Sequence, residues 1–115
     1  MPEKETALSE PEVRARLATL PGWKYENGAL RRSYDTDGWR GSLLVTNAIA
    51  FLCERADHHA DLAVTWPRVD VALSTHSAGG ITEKDFAVAA MIEGLVLMKL
   101  PTGSPLRGPA KPFVK

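Results

Sequence analysis

Apolar residues recur along this chain with two different periods, and each change of period marks the boundary between a helix and a hairpin. Ser9 stands three residues before Glu12, with Pro11 between them, and Val13, Leu17 and Leu20 follow at helical spacing. This predicts a helix over 11–19 opened by a capping box, in which a hydroxyl and an acid satisfy each other's backbone N–H groups. Pro21-Gly22 stops it. Trp23 and Tyr25 then alternate with Lys24 and Glu26, and Asn27-Gly28 supplies the two positive-φ positions of a tight hairpin whose return strand covers 29–34. Beyond a polar turn at 35–38, Leu44, Ala48, Leu52 and Ala56, flanked by Val45, Ile49 and Cys53, repeat at spacing four and predict a long helix over 38–57. Leu62, Val64 and Trp66 alternate with Asp61, Ala63 and Thr65, the pattern of a half-buried strand. Pro67-Arg68 is the expected turn. The next strand puts Val69, Val71, Leu73 and Thr75 on one face and Asp70, Ala72, Ser74 and His76 on the other. After a small-residue loop at 77–80, Thr82 and Asp85 repeat the capping signature and open a third helix over 83–98.

Helix, hairpin, helix, hairpin, helix folds most simply as a four-stranded antiparallel sheet with three helices on its apolar face, an α+β sandwich. At 115 residues the chain has the size of one domain, expected over 1–100. The segment 101–115 carries four of the eight prolines and is expected to be an extended or disordered tail. Phe86, Val88, Met91, Ile92, Leu95, Val96 and Met98 wrap most of the third helix, which predicts burial against more than its own sheet and hence a homo-oligomer, dimer or tetramer.

Charge and composition narrow the partners. Fourteen basic and fourteen acidic residues give zero formal net charge, so long-range attraction to nucleic acid or an anionic membrane is not expected. No apolar run approaches the ~20 residues needed to span a bilayer, and residues 1–10 are charged where a signal peptide would be apolar, so the expected location is the cytoplasm. Cys53 stands alone, without a disulfide partner, in an apolar setting that reads as core packing.

All three histidines fall within nineteen positions: His58, His59 and His76. Histidine is the side chain that gains and loses a proton near neutrality, so the concentration suggests proton transfer. If the second hairpin turns through Pro67-Arg68, opposed residues have numbers summing to 135, which pairs Trp66 with Val69, Val64 with Val71 and Leu62 with Leu73. The same rule sets His59 opposite His76, with Cβ atoms roughly 5 Å apart. Each group also has a plainer reading. His58 and His59 could bind the last carbonyls of a helix. Glu54, one turn before His58, could orient it or be a solvated carboxylate. Asp61 and Asp70 read as strand-edge charges, Asp85 as a capping acid that could also line a site, Trp66 as a cross-strand aromatic, and Arg31 and Arg32 as solvated. A metal site is not expected, because adjacent His58 and His59 point apart on a helix or strand.

Glu54, the pair His58-His59, Trp66, the string Leu73-Ser74-Thr75-His76, and Gly80-Ile81-Thr82-Glu83-Lys84-Asp85 together resemble the signature of the pterin-4a-carbinolamine dehydratases. Weaker likeness runs from Pro21-Gly22-Trp23 to the end of the third helix. Ala60 departs from the proline that usually follows the histidine pair, which affects the turn and removes no reactive group. The resemblance implies dehydration of 4a-hydroxytetrahydropterin to quinonoid dihydropterin and water, in recycling of tetrahydropterin. His58 and His76 would be acid and base in an order left open, and His59 would support pterin binding. Glu54, Asp85, Trp66, Ser74 and Thr75 would bind or position, with neither a metal nor an organic cofactor. A second reading is a dimerising regulatory protein on the same fold without catalysis.

Overall fold

A computed structural model describes residues 5–115. Helix α1 (Glu10–Arg16) continues into a 3-10 turn at Leu17–Thr19, and its capping box is formed: Ser9 Oγ accepts from the Glu12 N–H at 3.3 Å, and Glu12 Oε1 accepts from the Ser9 N–H at 3.0 Å. Strands β1 (Lys24–Glu26) and β2 (Ala29–Asp35) meet at Asn27-Gly28, both with positive φ (50° and 74°), as the dipeptide predicts. Helix α2 (Trp39–Ala56), strands β3 (Asp61–Thr65) and β4 (Arg68–Leu73), and helix α3 (Glu83–Val96) complete the chain. The sheet is antiparallel with order β1-β2-β4-β3. The expected α+β arrangement is what forms.

The core lies between sheet and helices. Leu30 and Tyr34 of β2, and Val69, Val71 and Leu73 of β4, pack with Val45, Ile49 and Leu52 of α2 and Phe86, Ala89 and Ile92 of α3. Cys53 is buried among them. The opposite, apolar flank of α2 and α3 stays open: Phe51 is 70% and Met91 57% exposed, and with Leu95 they border a shallow apolar groove.

The second hairpin corrects the expected register. Val64 pairs with Val69 and Leu62 with Val71, so the turn is Trp66-Pro67. Registers two residues apart leave every side chain on the same face, so alternation of apolar residues cannot choose between them. What holds this one is the hairpin tip: the Trp66 carbonyl accepts from Thr36 Oγ1 at 3.2 Å and Ser42 Oγ at 3.1 Å, and the Pro67 carbonyl accepts from the Thr36 N–H at 2.8 Å. Trp66 is therefore a turn residue, 66% exposed, and not a cross-strand aromatic. His59 and His76 do not oppose each other either, because β3 begins at Asp61 and β4 ends at Leu73.

Residues 101–115 hold neither helix nor strand, and their end returns to the body of the protein. Val114 bridges Thr36, the Lys115 N–H donates to the Asp35 carbonyl at 2.9 Å, and the Asp37 N–H donates to the Phe113 carbonyl at 3.1 Å. Gly41 permits this approach, since a Cβ there would lie 2.7 Å from the Phe113 carbonyl oxygen.

Candidate active site

The site begins where α2 stops. Asp57 adopts the left-handed conformation (φ 51°), and the N–H groups of Asp57 and His58 close back on the carbonyls of Glu54 (3.3 Å) and Cys53 (3.2 Å). The chain leaves the helix abruptly, and the two adjacent imidazoles part: the His58 side chain is 12% exposed, that of His59 57%.

His58 Nε2 lies 2.7 Å from Asp85 Oδ1. Asp85 is wholly buried at the N-terminus of α3, and its other oxygen accepts from the Thr75 hydroxyl at 2.7 Å and from the Thr82 N–H at 2.9 Å. Thr82 completes the capping box by accepting from the Lys84 N–H at 3.2 Å. One carboxylate thus ends a helix and orients an imidazole. A carboxylate only accepts hydrogen bonds, so this contact keeps the proton on Nε2 of His58 and leaves Nδ1 as the atom free to exchange a proton.

Thr75 links this pair to the third histidine. Its N–H donates to the Gly80 carbonyl at 2.9 Å, closing a short loop in which His76–Ala78 form a 3-10 turn ended by left-handed Gly79. His76 is exposed at the start of that turn. His58, His59 and His76 all line one cleft of about 300 Å³ with Ser74 and Thr75, and Glu5, Asp57, Ser77 and Lys84 form the rest of its wall. That volume sits at the lower end of the range for small-molecule sites.

The remaining sequence candidates are placed differently. Glu54 lies 2.9 Å from His59 Nε2, both exposed, so it orients His59 and not His58. Trp66 is at the hairpin tip and does not line the cleft. Four residues of the cleft wall, Glu5, Asp57, Ser77 and Lys84, carry no site role in the sequence reading; the contact of Glu5 with Lys84 joins positions 79 apart without any periodic signal. Among the described residues no three His, Cys, Asp or Glu side chains are grouped as a metal ion would need.

A family model described as pterin 4 alpha carbinolamine dehydratase matches residues 6–95, which covers both hairpins, α1, α2, all of α3 but its last residue, and every residue of the cleft except Glu5. The chain belongs to that dehydratase family. It is 44% identical over 89 residues to a protein of Aquifex aeolicus (strain VF5), covering 77% of this chain and 90% of the relative. It is 42% identical over 89 residues to one of Chloroflexus aurantiacus (strain ATCC 29366 / DSM 635 / J-10-fl), covering 77% and 96%. Both carry the name "Putative pterin-4-alpha-carbinolamine dehydratase". A crystal structure described as a transcriptional coactivator/pterin dehydratase from Brucella melitensis is 30% identical, with a TM-score of 0.74 over 79% of this chain and 99% of that one.

Within this dehydratase-family fold a second polar cluster lies at the other end of α3. Glu93 accepts from Trp23 Nε1 (3.0 Å), Arg32 Nε (3.0 Å) and Nη2 (3.2 Å), and the Tyr34 hydroxyl (2.6 Å). Arg32 is thus a structural ion-pair partner with a side chain only 20% exposed, contrary to its reading as solvated. Burial works to raise the Glu93 carboxyl, but the bonds from Arg32, Tyr34 and Trp23 outweigh it and hold the group below the ordinary carboxylate value. Burial and the neighbouring Glu93 push the Tyr34 hydroxyl far up.

Proposed function

We propose that the protein dehydrates 4a-hydroxytetrahydropterin to quinonoid dihydropterin and water by histidine acid/base catalysis, serving tetrahydropterin recycling in the cytoplasm. The observation that carries this is His58, fixed by buried Asp85, sharing one cleft with His59 and His76. The reaction breaks the C4a–O bond and removes the N5 proton. Hydroxide leaves poorly, so an imidazolium protonates the departing oxygen while a neutral imidazole takes the proton from N5, and the two together release water. Both forms of imidazole are available near pH 7. His58 and His76 are the pair assigned to these steps; His59, oriented by Glu54, would border the pterin ring, and Ser74 and Thr75 would offer polar groups to its heteroatoms. Nothing in this elimination calls for a metal or organic cofactor.

The test is turnover of enzymatically generated 4a-hydroxytetrahydropterin against its spontaneous breakdown. The protein is expected to exceed the background rate, and His58→Ala or His76→Ala to lower the catalysed rate roughly 10²-fold. A wild-type rate equal to background would overturn the reading, and full activity in either variant would remove that histidine from the mechanism.

The open groove beside Phe51, Met91 and Leu95 favours a further role for the same face, association of copies as a homodimer or homotetramer. The second functional reading, a regulatory binding protein, would use that face too. Met91→Glu, read both by oligomer size and by pull-down of a partner, separates them: loss of self-association alone with retained turnover supports an assembling surface, and loss of a bound partner with the histidines intact supports the regulatory one.

A further inference from the structure

The segment from Glu5 to Leu8 runs beside the cleft and ties the loop that carries His76 to the first turn of α3, whose Asp85 holds His58. The Leu8 N–H donates to the Ile81 carbonyl at 2.7 Å, and a Cβ on Gly80 would lie 3.3 Å from the Ala7 side chain, so the segment packs directly on the loop that follows His76. From there the Glu5 carboxylate accepts from the Ser77 hydroxyl with one oxygen and pairs with the Lys84 ammonium with the other. Ser77 adjoins His76, and Lys84 adjoins Asp85, the partner of His58. Both Glu5 and Lys84 face the cleft itself.

A lysine in this position poses a problem for the chemistry. One histidine must be protonated to act as acid, and an unpaired ammonium on the same wall would oppose that charge. The other charged groups nearby are already engaged or distant from it: Asp85 holds His58, Glu54 holds His59, and Glu83 pairs with Arg16 at 2.5 Å. Asp57 shares the cleft wall and its charge also favours the Lys84 ammonium, but more weakly than Glu5, since among the described residues it makes no hydrogen bond or ion pair with it. Glu5 is the acid that meets it.

We propose that Glu5 and Lys84 form an electrostatic positioning pair, in which Glu5 cancels the Lys84 charge and so preserves the protonated histidine required by the dehydration. This rests on the dehydratase reading above for its purpose, but not for its detection. Mutual pairing holds the Glu5 carboxyl below, and the Lys84 ammonium above, their ordinary values.

Proton NMR titration of the ring protons of His58 and His76 in the intact chain reads the coupling without any turnover. Glu5→Gln leaves Lys84 with only the unbonded Asp57 charge beside it and is expected to lower a ring's titration midpoint by about 0.3–0.5 pH unit, a size set by one charge acting across a solvated cleft. Lys84→Met leaves Glu5 uncompensated and should raise it by a similar amount. The double variant should return to the wild-type midpoint, and the alkaline limb of the dehydration rate should move in parallel. A segment that merely braces the loop would lower stability without moving midpoints. Unmoved midpoints, shifts of the same sign in both single variants, or a double variant that fails to return would overturn the proposal. Shifted midpoints in a protein that does not accelerate dehydration would instead leave the pair standing and overturn the catalytic reading.

Discussion

Helix α3 carries a buried or half-buried carboxylate at each end, and the two are used in opposite ways. Asp85 and Glu93 are both surrounded by donors and both would count as well-satisfied polar clusters, Glu93 tying the helix to β2 and Asp85 tying it to the segments that flank β3 and β4. The partners differ. Glu93 is held by an indole, a guanidinium and a phenol, none of which exchanges its proton near neutral pH. Asp85 is held by a hydroxyl, a backbone amide and an imidazole, and the imidazole has its other nitrogen available beside an open cleft. A polar cluster that closes on itself fixes a structure, whereas one that ends in a titratable ring next to solvent can pass a proton onward.

That contrast can be broken most directly at Asp85. In Asp85→Asn the amide presents N–H₂ either to the Thr82 N–H, opposing two donors, or to His58, forcing the ring proton onto Nδ1. Turnover is expected to fall roughly 10²-fold, about 2.7 kcal/mol in barrier height, with about 1–3 kcal/mol of stability lost. Steady-state rates beside a chemical denaturation curve separate the two. Unchanged turnover would mean that Asp85 only caps the helix.

At the other end, Glu93→Ala leaves Trp23, Arg32 and Tyr34 without their shared acceptor, and about 2–3 kcal/mol of stability should be lost while the rate per folded molecule holds. An equal loss of turnover at temperatures where the variant stays folded would erase the distinction between the clusters. Acidification sharpens it further. Because the Glu93 carboxyl sits below its ordinary value near 4.5 in the folded chain, its contribution is complete above that value and is lost as pH falls through the lowered one. The stability gap between wild type and Glu93→Gln should therefore be widest at neutral pH and shrink below about pH 4.5. The smallest effect is expected at Trp66, where Trp66→Ala should alter stability by no more than about 0.5 kcal/mol and leave turnover intact, since the ring lies exposed at the hairpin tip. A clear loss of pterin affinity there would restore Trp66 to the site.

The element order was legible because each boundary carries its own chemistry: Ser9 with Glu12, Asn27-Gly28, and Thr82 with Asp85 all act locally and act as read. The gathering of His58 and His76 was legible from their residue type and the resemblance, but its geometry was not. The hairpin register depends on Thr36 and Ser42 gripping the Trp66 carbonyl, a contact between distant segments that no periodicity encodes. For the same reason Arg32 reads as solvated while its partner Glu93 lies 61 residues away. Long-range pairing, not local propensity, decides these positions. Glu54 is a local case: the spacing offers His58 or solvent, and the left-handed turn at Asp57, which the sequence does not announce, delivers it to His59.

The docked C-terminus has a practical corollary. Lys115 is fastened beside Asp35, at the start of α2, while the histidines gather beyond its other end, and α2 spans ~27 Å at the usual helical rise for its 18 residues. A fluorophore, affinity handle or surface tether appended after Lys115 should thus project away from the reaction cleft, making this terminus the natural point of attachment for immobilised assays.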